Sequence, residues 1–165
     1  MKNIKEIYNK KMRKMFTENM KSIFTKDMLK KYDENMLNVL KEVGVDILNV
    51  NYEEANKKIV NINKQEIYEI IWNMADITES FNFYGFSQYM YKKTENVIWL
   101  NLSASLLSFT FCCVEGAYAV GIFHAREAVK IEKNLENLVT LLSFYGLPEY
   151  LTKDSKKSPA SISGR

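Results

Sequence analysis

Apolar residues recur at steps of three and four along most of the chain, and this pattern predicts amphipathic helices. In the first segment Ile4, Ile7, Tyr8, Met12, Met15, Phe16, Met20 and Ile23 share one face, with Lys5, Lys10, Lys14 and Lys21 largely opposite. Thr25 is placed to cap a second helix, with Asp27 in its first turn. That helix carries Leu29, Tyr32, Met36, Leu40 and Val43 as its stripe, and Gly44 reads as its stop. Together the two predict an antiparallel helical hairpin. Val45, Ile47, Leu48 and Val50 fit a short strand, and Tyr52 to Val60 a helix. Asn63 followed by Glu66 reads as a capping box for a helix carrying Ile67, Ile70, Ile71, Met74 and Ile77. An aromatic cluster follows around Gly85: Phe81, Phe83, Tyr84, Phe86, Tyr89 and Tyr91, closed by Lys92 and Lys93. Ala125 to Lys133 and Leu135 to Phe144 are again helical, ended by Gly146 and Pro148, with a short turn at 149–151.

Val97 to Phe123 is the most apolar stretch and admits two readings. Asn101, Ser105, Ser108, Cys112 and Glu115 recur at steps of four and three, as on one stripe of a helix. The same letters alternate, as in a strand, with Glu115-Gly116 as a hairpin turn. Length favours the helix, because the run is longer than ordinary strands. The expected fold is therefore all-α: a compact multi-helix domain around a central buried apolar helix. The alternative is an α+β domain with a β-hairpin at about 97–123. A membrane span is disfavoured by Glu115 inside the run and by Asn101 and four hydroxyl residues that dilute it. A buried Glu115 would need a cationic partner from another helix.

Composition sharpens this picture in three places. First, 165 residues with 47% hydrophobic and 13% aromatic content fit one ordered domain, 1–151, followed by a basic tail, 152–165, rich in Ser and Lys. Second, the net charge of +3 is uneven. Residues 1–32 carry ten basic side chains against three acidic, 33–151 nine against sixteen, and 152–165 four against one. The basic arm is expected to pack beside the acidic body, or to meet an anionic partner. Third, Cys112 and Cys113 are adjacent, too close along the chain for ordinary disulfide geometry. With no hydrophobic leader in the first fourteen residues, a cytoplasmic location with reduced thiols is the expectation. The sequon at Asn101 lies in the apolar run and reads as coincidence.

Candidate chemistry is sparse. One histidine, His124, and no CxxC pair make zinc improbable; no Glu-x-x-His pair suggests a di-iron bundle, and the six glycines form no phosphate loop. No metal or other cofactor is expected. A weak catalytic constellation is Glu115, His124 and Arg126, with His124 as base and Cys112 or Cys113 as nucleophile. Interaction is the leading reading. Six of eight methionines lie in the first 36 residues, so Met12, Met15 and Met20 suit an adaptable docking face. Lys5, Lys10, Lys14 and Lys21 suit an anionic surface, and Tyr84, Phe86 and Tyr89 beside Lys92 and Lys93 could stack on bases. The function expected is a small non-enzymatic protein that binds another protein, as an inhibitor, immunity-type protein or adaptor does. The alternatives are binding of nucleic acid or an anionic membrane through the first helix, and an enzyme or ligand-binding protein around Glu115 and His124. A second copy of the chain is a further partner the composition admits.

Overall fold

The computed structural model describes residues 4–146, and every regular element among them is helical. The all-α expectation holds, and its centre is where the apolar run placed it. Helix α8 (Ile98–Ser105) continues into a π-helical turn (Leu106–Thr110), and every residue from Trp99 to Ser108 is buried. The run does not continue as one helix to Phe123. It turns at residues 111–116, where Gly116 adopts φ +80°, and then enters α9 (Ala117–Ile131). A side chain at that φ would be strained, so the glycine suits the reversal.

The surrounding helices take their starts from the polar residues the pattern named. Thr25 Oγ1 accepts from Met28 N and opens α3 (Lys26–Lys31). Asn63 Oδ1 accepts from Gln65 N and Glu66 N and opens α6 (Lys64–Thr78). The reciprocal half of that capping box is missing, because the Glu66 carboxylate instead accepts from Lys31 at 2.9 Å and from the Tyr32 hydroxyl. The first segment divides at Asn19 into α1 (Ile4–Glu18) and α2 (Met20–Ile23). The stripe from Leu29 to Val43 is also interrupted: Asp33 caps a new helix, α4 (Glu34–Leu48), through Met36 N.

Two local expectations are corrected in α4. Gly44 does not stop the helix, and Val45 to Val50 form no strand, since the helix runs on to Leu48. The glycine serves packing instead. A Cβ there would meet Phe16 Cε2 at 2.7 Å and Met74 Sδ at 2.8 Å, so its absence lets α4 close on α1 and α6. Asn51 precedes α5 (Tyr52–Ile59), and α7 (Asn82–Thr94) covers α8 from one side. Helices α6, α9 and α10 (Leu135–Leu142) close the rest of the surface around α8, and a 3-10 turn (Ser143–Gly146) ends the described chain. The expected end at Pro148, the turn at 149–151 and the tail 152–165 lie outside the described residues.

The small polar groups of the central run are used to tie helices together. Ser103 Oγ sits 2.7 Å from Ser87 Oγ on α7 and accepts from Gln88 Nε2 at 2.6 Å. Tyr68 on α6 donates to Ser105 Oγ at 2.7 Å. Each such bond is worth about 1 kcal/mol net, but an unpaired buried partner costs about 1–3 kcal/mol, so the network selects one packing. Part of the basic arm is neutralised by the body, as its charge pattern suggested. Arg13 on α1 forks onto Glu42 on α4, and Lys31 reaches Glu66 on α6. The Arg13 guanidinium holds the Glu42 carboxyl below its ordinary value.

Candidate functional site

Helix α10 is turned the wrong way round for a helix that meets only water. Asn134 Oδ1 accepts from Asn137 N and starts it. Its inward face then presents an asparagine: Asn137 is buried, with Leu141 half-buried and Phe144 buried beyond it. Asn137 Nδ2 donates to Glu132 O at 2.7 Å and Ala128 O at 3.2 Å, while Asn137 Oδ1 accepts from Asn101 Nδ2 at 2.7 Å. These bonds fix the rotation of α10 against α8 and α9. The outward face consequently carries Leu135, Leu138, Val139 and Leu142, which are 78%, 42%, 55% and 61% exposed. Their spacing, i, i+3, i+4 and i+7, is the apolar stripe an amphipathic helix ordinarily buries. Glu136 is the one charged residue within α10. Tyr145, just beyond, is exposed as well; the exposed Val120 and Ile131 of α9 lie instead on its flank toward α7, beside Tyr84 and Tyr91. Exposed apolar surface is unremarkable residue by residue but informative as a contiguous stripe over a buried polar group.

A second feature lies at the start of α9. A pocket of about 230 Å³ is lined by Phe81, Tyr84, Leu107, Val114 and Val120, with Glu115 and the Gly116–Ala117 segment at its edge. Phe81 stacks on Phe111, with centroids 4.1 Å apart, and forms one wall. Tyr84, on another wall, has its hydroxyl 2.9 Å from His124 Nε2. Burial pushes the His124 imidazole below its ordinary value and the Tyr84 phenol above its own, so both are neutral near pH 7. His124 Nδ1 is buried and makes no hydrogen bond to the described residues. A proton on Nε2, donated to the tyrosine oxygen, leaves only a lone pair unpaired and costs less than burying a bare N–H.

The sequence-predicted residues are scattered across these surfaces. Glu115 was expected in a buried helix with an internal ion pair. It is exposed in the turn instead, because the run breaks at Gly116, and no buried carboxylate had to be compensated. His124 lies inside α9 and is buried, bonded to a tyrosine. Arg126 is exposed on the same helix. Cys112 is half-buried and Cys113 exposed, and burial together with Cys113 pushes the Cys112 thiol above its ordinary value, against the role of nucleophile. Asn101, the sequon residue, is buried and engaged by Asn137.

The aromatic and methionine candidates mostly belong to the core. Phe86 is fully buried and Met12 nearly so, which removes them from any docking face. Met15 and Met20 are half-buried against the core, and Tyr84 and Tyr89 are half-buried too. Tyr89 packs on Tyr52 and donates its hydroxyl to Glu53, which also accepts from Lys93 at 2.6 Å, so the ring is not a free stacking platform. Lys5, Lys10, Lys14 and Lys21 are exposed, with Lys14 3.6 Å from Glu18. The exposed α10 stripe is not among the residues the sequence pointed to. Its signal was present in the spacing of the four side chains, but that spacing is the same for a helix that buries them. Among the described residues no group of three or more His, Cys, Asp or Glu is placed to hold a metal ion, and no helix is long and apolar enough to cross a membrane.

Comparison of the chain with family models, with curated proteins and with solved structures finds no match.

Proposed function

We propose that this protein acts by binding another protein through the outward face of α10, in the manner of an inhibitor, immunity-type protein or adaptor. One observation carries the reading: α10 buries Asn137 and exposes Leu135, Leu138, Val139 and Leu142. Solvent alone gives no reason for that rotation, whereas an apolar partner surface does. Fully burying an aliphatic side chain is worth about 1.5–3 kcal/mol, so the exposed part of these four supplies roughly 5 kcal/mol. Association costs about 4 kcal/mol or more in lost freedom, so contacts beyond these four side chains must contribute for the complex to be stable. Glu136, the only charge on α10, favours a protein over an anionic membrane or nucleic acid as occupant of this face. A cytoplasmic setting, in which the paired thiols stay reduced, belongs to the same reading.

The test is capture of the tagged protein from its native cells, wild type beside Leu138→Asp/Leu142→Asp, with nuclease and high-salt washes. A stoichiometric protein that survives both washes and is lost in the variant supports the reading. A partner set identical for the two proteins defeats it.

A second reading is favoured by the first two turns of α1. Ile4, Ile7 and Tyr8 are exposed at i, i+3 and i+4, and Lys5, Lys10, Lys11 and Lys14 are exposed around them. That combination suits shallow insertion into an anionic lipid surface. Vesicles containing anionic lipid would bind the wild type and release it with salt, and Ile4→Asp/Ile7→Asp would not bind.

A further inference from the structure

Cys112 and Cys113 sit in the turn between the π-helical end of the central run and α9, with Cys113 exposed. Neighbouring side chains of an extended chain point to opposite sides. Here the turn converges them, and the two Sγ atoms are 3.9 Å apart. Adjacent Cα atoms are about 3.8 Å apart across a trans peptide, short of the 4.4–6.8 Å that disulfides usually span. The pair is therefore better suited to a bridge through a third atom than to a direct S–S bond. Two metal–thiolate bonds of about 2.3 Å at a tetrahedral angle hold their sulfurs about 3.8 Å apart, close to the separation already present.

Ligand supply narrows what that third atom is. No group of three or more metal-ligating side chains occurs among the described residues, so the pair offers two thiolates without a third protein donor. Four-coordinate zinc is poorly served by that set. A soft electrophilic centre with only two open valences is served completely. A substituent on such a centre also finds apolar surface next door, since Val114, the next residue, lines the pocket with Phe81, Leu107 and Val120.

We propose that Cys112 and Cys113 form a dithiol chelate for a two-valent thiophilic centre carrying an apolar substituent, of which a mono-organic trivalent arsenical is the chemical type. The step involves no oxidation. The arsenical's oxygen leaves as water with the two thiol protons, two As–S bonds form, and the As–C bond is retained.

Phenylarsine oxide is the probe, used on the folded full chain and read by intact mass and by isothermal titration. One equivalent binds wild type, resists excess 2-mercaptoethanol and is released by dithiothreitol. Cys112→Ser and Cys113→Ser, each checked for unchanged circular dichroism, both lose the monothiol-resistant adduct. Because the turn holds the sulfurs together in advance, the folded chain binds about tenfold or more tighter than the same chain in guanidinium chloride. Retention of a resistant adduct by either single variant, or equal affinity in the folded and unfolded chains, overturns the proposal.

Discussion

Replacing Gly44 with alanine sets two well-characterised effects against each other. In an ordinary helix interior the change is stabilising by about 1 kcal/mol, because alanine is the better helix former. At this position the added methyl would lie 2.7–2.8 Å from the Phe16 ring and from Met74 Sδ. Met74 has a flexible side chain that can shift, but Phe16 is fully buried between α1 and α4 and has nowhere to move without displacing a helix. Overpacking of this kind costs typically about 1–3 kcal/mol, and the short contacts to a confined ring place this case toward the upper end. The net expectation is a destabilisation of about 1–2 kcal/mol. For a domain of this size each kcal/mol moves the midpoint by about 2–4 °C, so Tm should fall by roughly 2–8 °C. Thermal and urea unfolding followed by circular dichroism measure the Tm and the free energy, with Phe16→Leu and the double variant completing a mutant cycle. If the clash is the cause, the double variant is less destabilised than the sum of the two single ones. An unchanged or raised Tm for Gly44→Ala would refute the close approach of α4 to α1 and with it the packing of the N-terminal helices.

Two further outcomes follow from buried polar groups. Asn137→Ala should cost about 1–3 kcal/mol, because it strands Asn101 Nδ2 and removes the side-chain tie to the Ala128 and Glu132 carbonyls, which keep their backbone donors, and hydrogen exchange should show the α9–α10 turn loosened before the rest. His124 has a folded-state pKa depressed by burial, so between that value and about 6.5 the unfolded chain binds more protons than the native one. Stability should therefore be full above about pH 6.5 and fall as pH drops through this window, and His124→Gln should flatten that limb of the urea midpoint against pH.

The sequence pattern found the helices whose caps and stripes act locally. Thr25, the Asn63 side-chain cap and the Ile67–Ile77 stripe behave as read, since a side-chain cap and a 3.6-residue period need nothing from elsewhere in the chain, whereas the Glu66 half of the capping box was lost to Lys31 and Tyr32. Gly44 was misread because the cues for a helix stop and for close helix packing are the same letter, and only the presence of Phe16 and Met74 on two other helices separates them. Glu115 was misread because an apolar composition does not reveal where the run folds back, and the reversal at Gly116 turned a supposed core residue into a surface one. His124 was singled out from the sequence, but its tyrosine partner is 40 positions away and no local signal joins them. The α10 face is the instructive case. Leu135, Leu138, Val139 and Leu142 announce an amphipathic helix, yet which side faces inward is decided by Asn137 bonding to Asn101 and to the α9 carbonyls. A tertiary contact, not the period, exposes the stripe.

The central claim is tested most directly by the Leu138→Asp/Leu142→Asp protein, with unfolding and partner capture measured on the same preparation. Because these side chains keep between them only about one leucine's worth of burial, the account predicts a folded protein destabilised by no more than about 3 kcal/mol together with loss of the captured protein. A large loss of stability would show that these leucines hold the fold together. Undiminished capture by a stable variant would show that the partner binds elsewhere. Either result would contradict the assignment of the α10 face as the interaction surface.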